Sequence, residues 1–97
     1  MNNKLNIVYV PITSLRHAEY NPRVIDDSTK KPVRASIEKH GVADPIVAND
    51  APGREGVIIG GNLRYEVLKD MGHEEVPVVY ITITDLEKEK ALCHRLN

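Results

Sequence analysis

Residues 56–64, Gly-Val-Ile-Ile-Gly-Gly-Asn-Leu-Arg, limit what this chain can become more than any other stretch. Gly56-Val57-Ile58-Ile59 reads as a short buried strand. After the glycine pair, Leu63, Val67, Leu68 and Met71 fall on one face of a helix, with Gly72 as its C-terminal cap. A strand that turns through Gly60 and Gly61 into a helix aims backbone N–H groups at whatever lies above the turn. The helix dipole adds positive potential there, and Arg64 in the first turn adds a fixed, two-pronged cation. Such a turn suits a phosphate or another small oxyanion. Paired glycines also serve where a helix packs closely on a strand, so both readings stay open at this point.

The rest of the chain supplies partners for that unit. Leu5 to Val10 alternates as a strand and is stopped by Pro11; Thr13 to His17 reads as a short helical turn. Pro22 pushes Asn21 out of helical geometry, making Tyr20-Asn21-Pro22-Arg23 a rigid loop. Asp26, Asp27 and Ser28 offer N-caps for a helix of about 10–12 residues ending near Gly41, with Val33 and Ile37 inward. Ile46-Val47-Ala48 is a short strand, and Asn49 to Glu55 turns the chain back into Val57-Ile58-Ile59. Val76 to Ile83 is the most continuous apolar run and is the expected central strand. Thr84-x-x-Glu87 has capping-box spacing and opens a last helix reaching Leu96.

Ninety-seven residues make one domain with one modest core, which lacks Phe and Trp and rests on Ile, Val, Leu, Ala and four Tyr. No apolar run approaches the ~20 residues of a membrane span, and the N-terminus lacks a signal peptide's apolar stretch. The single cysteine, Cys93, fits a reducing cytoplasm, so the expected location is cytoplasmic. The net charge of −1 divides into +3 over residues 1–40 and −4 over residues 41–97. A duplex-DNA grip calls for a denser basic stripe than this, so DNA contact by this domain alone is expected to be weak.

The order of motifs resembles the ParB/sulfiredoxin superfamily, specifically the ParB-like domains of plasmid and phage proteins, some of which precede DNA-modification methyltransferases. Leu15 through Asn21-Pro22-Arg23 is similar to the family's first motif. Ala35 to Gly41, followed by Asp44-Pro45-Ile46-Val47, is similar to its helix, glycine and Pro-Ile-Val segment. Gly60-Gly61-Asn62-Leu63-Arg64-Tyr65 matches the second motif, Glu75 to Val79 the strand after it, and Ala91 to Asn97 the closing helix. The resemblance covers nearly the whole chain. It implies an α/β (α+β) fold with a small mixed sheet of about four strands and about three helices.

It also implies a nucleotide site, with a nucleoside triphosphate and Mg²⁺ as the expected cofactor. Gly60, Gly61, Asn62 and Arg64 would form the phosphate turn, and Arg23 would close it. Two departures matter. Partition-type members carry Gly-Glu-Arg-Arg where this chain has Gly61-Asn62-Leu63-Arg64, which puts their triphosphate chemistry in doubt. Sulfiredoxins carry a cysteine nucleophile where this chain has Asn62, which cannot form the covalent sulfur intermediate. No catalytic set emerges: the acids nearest the motif, Glu55, Glu66 and Asp70, lie outside the turn, and Glu66 reads as solvated. The histidines show no metal spacing, so no metal ligands are assigned.

Residues 1–97 therefore read as a ParB-like nucleotide- or phosphate-binding module, a fragment or N-terminal part of a longer DNA-associated protein. A ParB-like nuclease or phosphotransfer enzyme is the first alternative. A degenerate-pocket interaction module is the second. The last helix presents Leu86, Ala91, Leu92, Cys93 and Leu96 and lacks a terminal cap, which points to a homodimer through it or to a following segment that covers it.

Overall fold

The computed structural model describes residues 5–21 and 25–96. The elements run β1 (Ile7–Pro11), a 3₁₀ turn (Ile12–Ser14), α1 (Asp27–His40), β2 (Ile46–Asn49), β3 (Ile58–Gly60), α2 (Asn62–Asp70), β4 (Glu75–Ile81) and α3 (Leu86–Leu96). The sheet order is β1-β4-β2-β3, with β4 antiparallel to β1 and parallel to β2, and β3 antiparallel to β2. The expected mixed four-stranded sheet and three helices are present, and the apolar run after residue 75 is a central strand.

Local chemistry explains the boundaries. Asp26 caps α1 by accepting from the Thr29 amide at 2.9 Å. The helix runs 14 residues, longer than expected, because Pro32 falls on its exposed side and tolerates a missing N–H in its second turn. Gly72 (φ +82°) ends α2: its amide reaches the Lys69 carbonyl and that of His73 the Leu68 carbonyl, the paired bonds of a left-handed glycine cap. At α3, Asp85 and not Thr84 is the cap, its carboxylate accepting from the amides of Glu87 and Lys88. A carboxylate one residue closer to the first turn outcompetes the hydroxyl. The strand expected to reach Ile83 stops at Ile81, where Asn49 draws the next residues away by accepting from the Ile83 amide.

One sheet face carries Val10, Val76, Val78, Ile46, Ala48 and Ile58 against Val33 and Ile37 of α1 and Tyr65, Val67 and Leu68 of α2. Ile7, Val79, Val47 and Gly60 share a row across the sheet on the opposite face. There α3 lies over the β3 end, with Leu96 against Gly60. The free edge of β3 is closed by residue 16, whose carbonyl accepts from the Ile58 amide at 2.8 Å and whose amide reaches Gly56.

Candidate functional site

Gly60, Gly61 and Asn62 come together where β3 passes into α2, and all three are buried. Gly61 is the N-cap residue, at φ +94° and ψ +26°, a left-handed conformation open to glycine. The Tyr65 amide closes the first helical bond onto its carbonyl. That leaves the amides of Leu63 and Arg64 without a carbonyl inside the helix.

Arg64 folds back over this turn. A Cβ on Gly61 would lie 3.0 Å from its Nη2, and the same nitrogen donates to the Pro45 carbonyl at 3.1 Å. Its Nε is buried with no acceptor among the described residues. The side chain borders a cavity of about 270 Å³ shared with Val33, Ile37 and Asp44. The sequence left Arg64 two idle partners, Glu66 and Asp70. Neither takes it: Asp70 pairs with Lys30 at 2.7 Å and Glu66 with His17 at 2.7 Å.

The close-packing reading of the glycine pair applies to one of the two. Gly60 is a close-packing glycine, but the helix pressed on it is α3: its absent Cβ would sit 3.1 Å from Leu96. Gly61 is the conformational glycine that lets the chain enter α2.

Asn62 occupies the first helical position, and its Oδ1 lies 2.6 Å from His17 Nδ1. The other ring nitrogen of His17 lies 2.7 Å from Glu66 Oε2. His17 thus spans positions i and i+4 of α2 and meets Tyr65 edge-on at 5.0 Å. Glu66, expected to be solvated, is a member of this cluster. Sequence reading missed it because the link joins residues 45 and 49 positions apart. Tyr65 is a core ring, 8% exposed. Arg23 lies outside the described residues.

A second cluster was not foreseen at all. Glu89, on the inner face of α3, is fully buried. Its carboxylate accepts from Nε and Nη2 of Arg54, from the Tyr20 hydroxyl at 2.7 Å and from Asn49 Nδ2 at 2.7 Å. Arg54 also donates from Nη1 to both oxygens of Glu19. Burial pushes the Glu89 carboxyl up, but the bonds from Arg54, Tyr20 and Asn49 outweigh it and hold the group below the ordinary glutamate range. Burial, then the bond to Glu89, push the Tyr20 phenol far above its ordinary value. The readable signal was an acid in the Glu89, Cys93, Leu96 stripe, where an apolar residue belongs.

This cluster fixes one wall of a cavity of about 620 Å³, lined by Tyr20, Asn21, Glu87, Lys90, Cys93 and His94. Its volume is in the range of small-ligand sites. The Lys90 ammonium sits 5.6 Å from the Tyr20 ring centre. Cys93, on this wall, is one turn before Leu96, the residue over Gly60. No three His, Cys, Asp or Glu side chains among the described residues gather as a metal site. No helix among them is long and apolar enough to cross a membrane.

Comparison with known proteins bears on this arrangement. The model of one family, described as ParB N-terminal domain, matches residues 1–96. The nucleoid occlusion protein of Lysinibacillus sphaericus (strain C3-41) is 32% identical over 82 residues, which is 84% of this chain and 28% of that protein. The chain thus spans less than a third of the length of the curated relatives it matches. The C-terminally truncated chromosome-partitioning protein ParB from Caulobacter crescentus, complexed with CTP-gamma-S, superposes with a TM-score of 0.74 at 22% identity, covering 91% of this chain and 50% of that one. Sulfiredoxin from Arabidopsis thaliana superposes with a TM-score of 0.69 at 25% identity, covering 95% of this chain and 98% of that one. The fold is ParB/sulfiredoxin-like.

Proposed function

This chain belongs to the ParB N-terminal domain family, and from that membership we propose that it is a nucleotide-binding module of a DNA-associated protein acting in the cytoplasm. The observation that carries the proposal is the Arg64 guanidinium lying over the left-handed Gly61 at the N-terminus of α2. Helix dipole, first-turn amides and a planar cation converge there on one small volume, which suits a phosphate. A nucleoside triphosphate with Mg²⁺ is the ligand of this reading, because the structurally similar ParB was crystallised with CTP-gamma-S. Gly60, Gly61 and Asn62 shape the turn, and Arg64, with Arg23 as the second cation, neutralises the phosphates. Contact with DNA is assigned to the longer protein, since this domain carries no dense basic stripe.

Isothermal titration with nucleoside triphosphates, with and without Mg²⁺, tests the reading. Arg64→Ala is expected to weaken binding by ~1.5–3 kcal/mol, or about 10- to 150-fold, as loss of a charge-assisted contact does. Arg64→Lys should recover only part of it, because an ammonium lacks the planar fork. Unchanged affinity in Arg64→Ala would move the site elsewhere.

The sulfiredoxin likeness is one of fold. Asn62 stands where the resemblance requires a thiolate. The chain is therefore expected to show no ATP-dependent reduction of a sulfinylated peroxiredoxin, measured by mass spectrometry of the oxidised cysteine. Any repair by the wild-type domain would overturn that assignment.

A further inference from the structure

The two edges of the sheet are treated differently. The β3 edge is closed by residue 16 and roofed by α3. The outer edge of β1 is the end of the sheet, and nothing pairs with it among the described residues. The strand also lacks the usual protections of an edge: it holds no charge from Leu5 to Leu15, and its one proline is its last residue. Of the five exposed large apolar side chains among the described residues, three are here: Leu5 at 73%, Ile7 at 50% and Tyr9 at 66%. They alternate along one face, in the row beyond Val79 and Pro77. Ordinary surface leucines scatter singly; three on one unpaired edge make a patch.

We propose that this edge is a self-association surface, on which a second copy of the chain pairs its own β1 antiparallel to the first and continues the sheet across a two-fold axis. The strand is its own complement. Pairing centred on Val8 sets Ile7 opposite Tyr9 of the second copy, and Tyr9 opposite its Ile7. Those are two aromatic–β-branched pairs of the kind that stabilise antiparallel strands. No like charges meet, and the unpaired amides and carbonyls gain partners. The inward face of α3, by contrast, is already taken by Glu89 and Cys93 against the chain's own sheet. A five-residue strand falls short of the ~1,200 Å² that stable interfaces bury, so the association is weak and concentration-dependent.

Sedimentation equilibrium of the ligand-free chain from micromolar to millimolar concentration tests this without reference to any nucleotide. The weight-average mass of the wild type is expected to climb toward twice that of the monomer. Tyr9→Lys, at a solvent-facing position, should stay monomeric throughout while keeping the wild-type thermal midpoint in dilute solution. Leu86→Lys on α3 should associate as the wild type does. Amide exchange of residues 7–11 should slow as wild-type concentration rises, which reads the pairing without any substitution. A wild type that stays monomeric at millimolar concentration overturns the proposal. So does association that survives Tyr9→Lys but is lost in Leu86→Lys, which would place the interface on α3.

Discussion

Glu89→Ala is expected to cost about 3–5 kcal/mol, the range for removing one partner of a buried ion pair. At ~4–8 °C per kcal/mol for a domain of this size, the thermal midpoint should fall by roughly 12–40 °C. The reason is the number of donors that converge on one carboxylate. Arg54, Tyr20 and Asn49 all point into it, and each would lose an acceptor it now has. They come from two stretches of the chain: Tyr20 lies before α1, whereas Asn49 ends β2 and Arg54 lies in the β2–β3 turn. Glu89 is therefore the contact through which α3 is docked on the sheet. Calorimetry of Glu89→Ala, Arg54→Ala and the double variant separates the pair from its surroundings. The double variant should be less unstable than the two losses added, because an unpaired Arg54 is part of the cost of the first. A Glu89→Ala midpoint within a few degrees of wild type would mean that water replaces the carboxylate, and the docking role would be lost.

The same cluster sets the acid limit of the domain. Glu89 is held below its ordinary value in the fold, so the unfolded chain binds its proton more readily. Its stabilisation is present above the ordinary glutamate value of about 4.3 and is lost as pH falls through and below it. Glu19, Asp26 and Asp70 are held low as well, by Arg54, by Ser28 and by Lys30, but they are exposed and screened. The wild type should therefore lose stability steeply below about pH 4.3, and Glu89→Gln, less stable at neutral pH, should show a flatter profile. Equal slopes for the two would assign the acid transition to other carboxylates.

Local chemistry was legible in this sequence; chemistry joining distant segments was not. The strand–glycine–helix unit, the Asp26 cap, the Gly72 stop and the central position of β4 each follow from residues within a few positions of one another. Pattern and turn chemistry act over that range. The place of Arg64 in the first turn of α2 was legible for the same reason, since the glycine pair dictates where the helix begins. His17–Asn62–Glu66 and Tyr20–Arg54–Glu89 were illegible because each joins residues dozens of positions apart. A polar residue whose partner comes from another element looks solvated when read alone. Glu66 was assigned to solvent on that ground, and Glu89 drew no notice although it interrupts the inward stripe of α3. The burial of Gly60 by Leu96 was likewise hidden, because it depends on which side of the sheet the last helix crosses.

Gly56, read from sequence as no more than the first residue of a strand, carries the other large expected effect. It sits at φ +84°, and a Cβ there would lie 2.1 Å from the backbone carbonyl oxygen of Ser14. The neighbour is main chain, so no side chain can rotate away. Either β3 or the segment from Ser14 to His17 must move. That segment closes the β3 edge through residue 16 and delivers His17 to Asn62 and Glu66, so the disturbance reaches the start of α2. Gly53 is the natural control, because it shares the conformation (φ +81°) with nothing within 4 Å of its Cβ position. Gly53→Ala should carry only the backbone term, ~1–2 kcal/mol for an L-residue in the left-handed region. Gly56→Ala adds forced displacement of packed backbone, for which overpacking gives a further ~1–3 kcal/mol, and about 2–5 kcal/mol in total is expected. Chemical denaturation of the two variants reads the difference directly. If both lose the same stability, the Ser14 segment yields at no cost and the close approach does not hold the turn in place. If Gly56→Ala is the less stable by the expected margin, the packing of Ser14 on Gly56 is what holds in place the segment that carries His17 to α2.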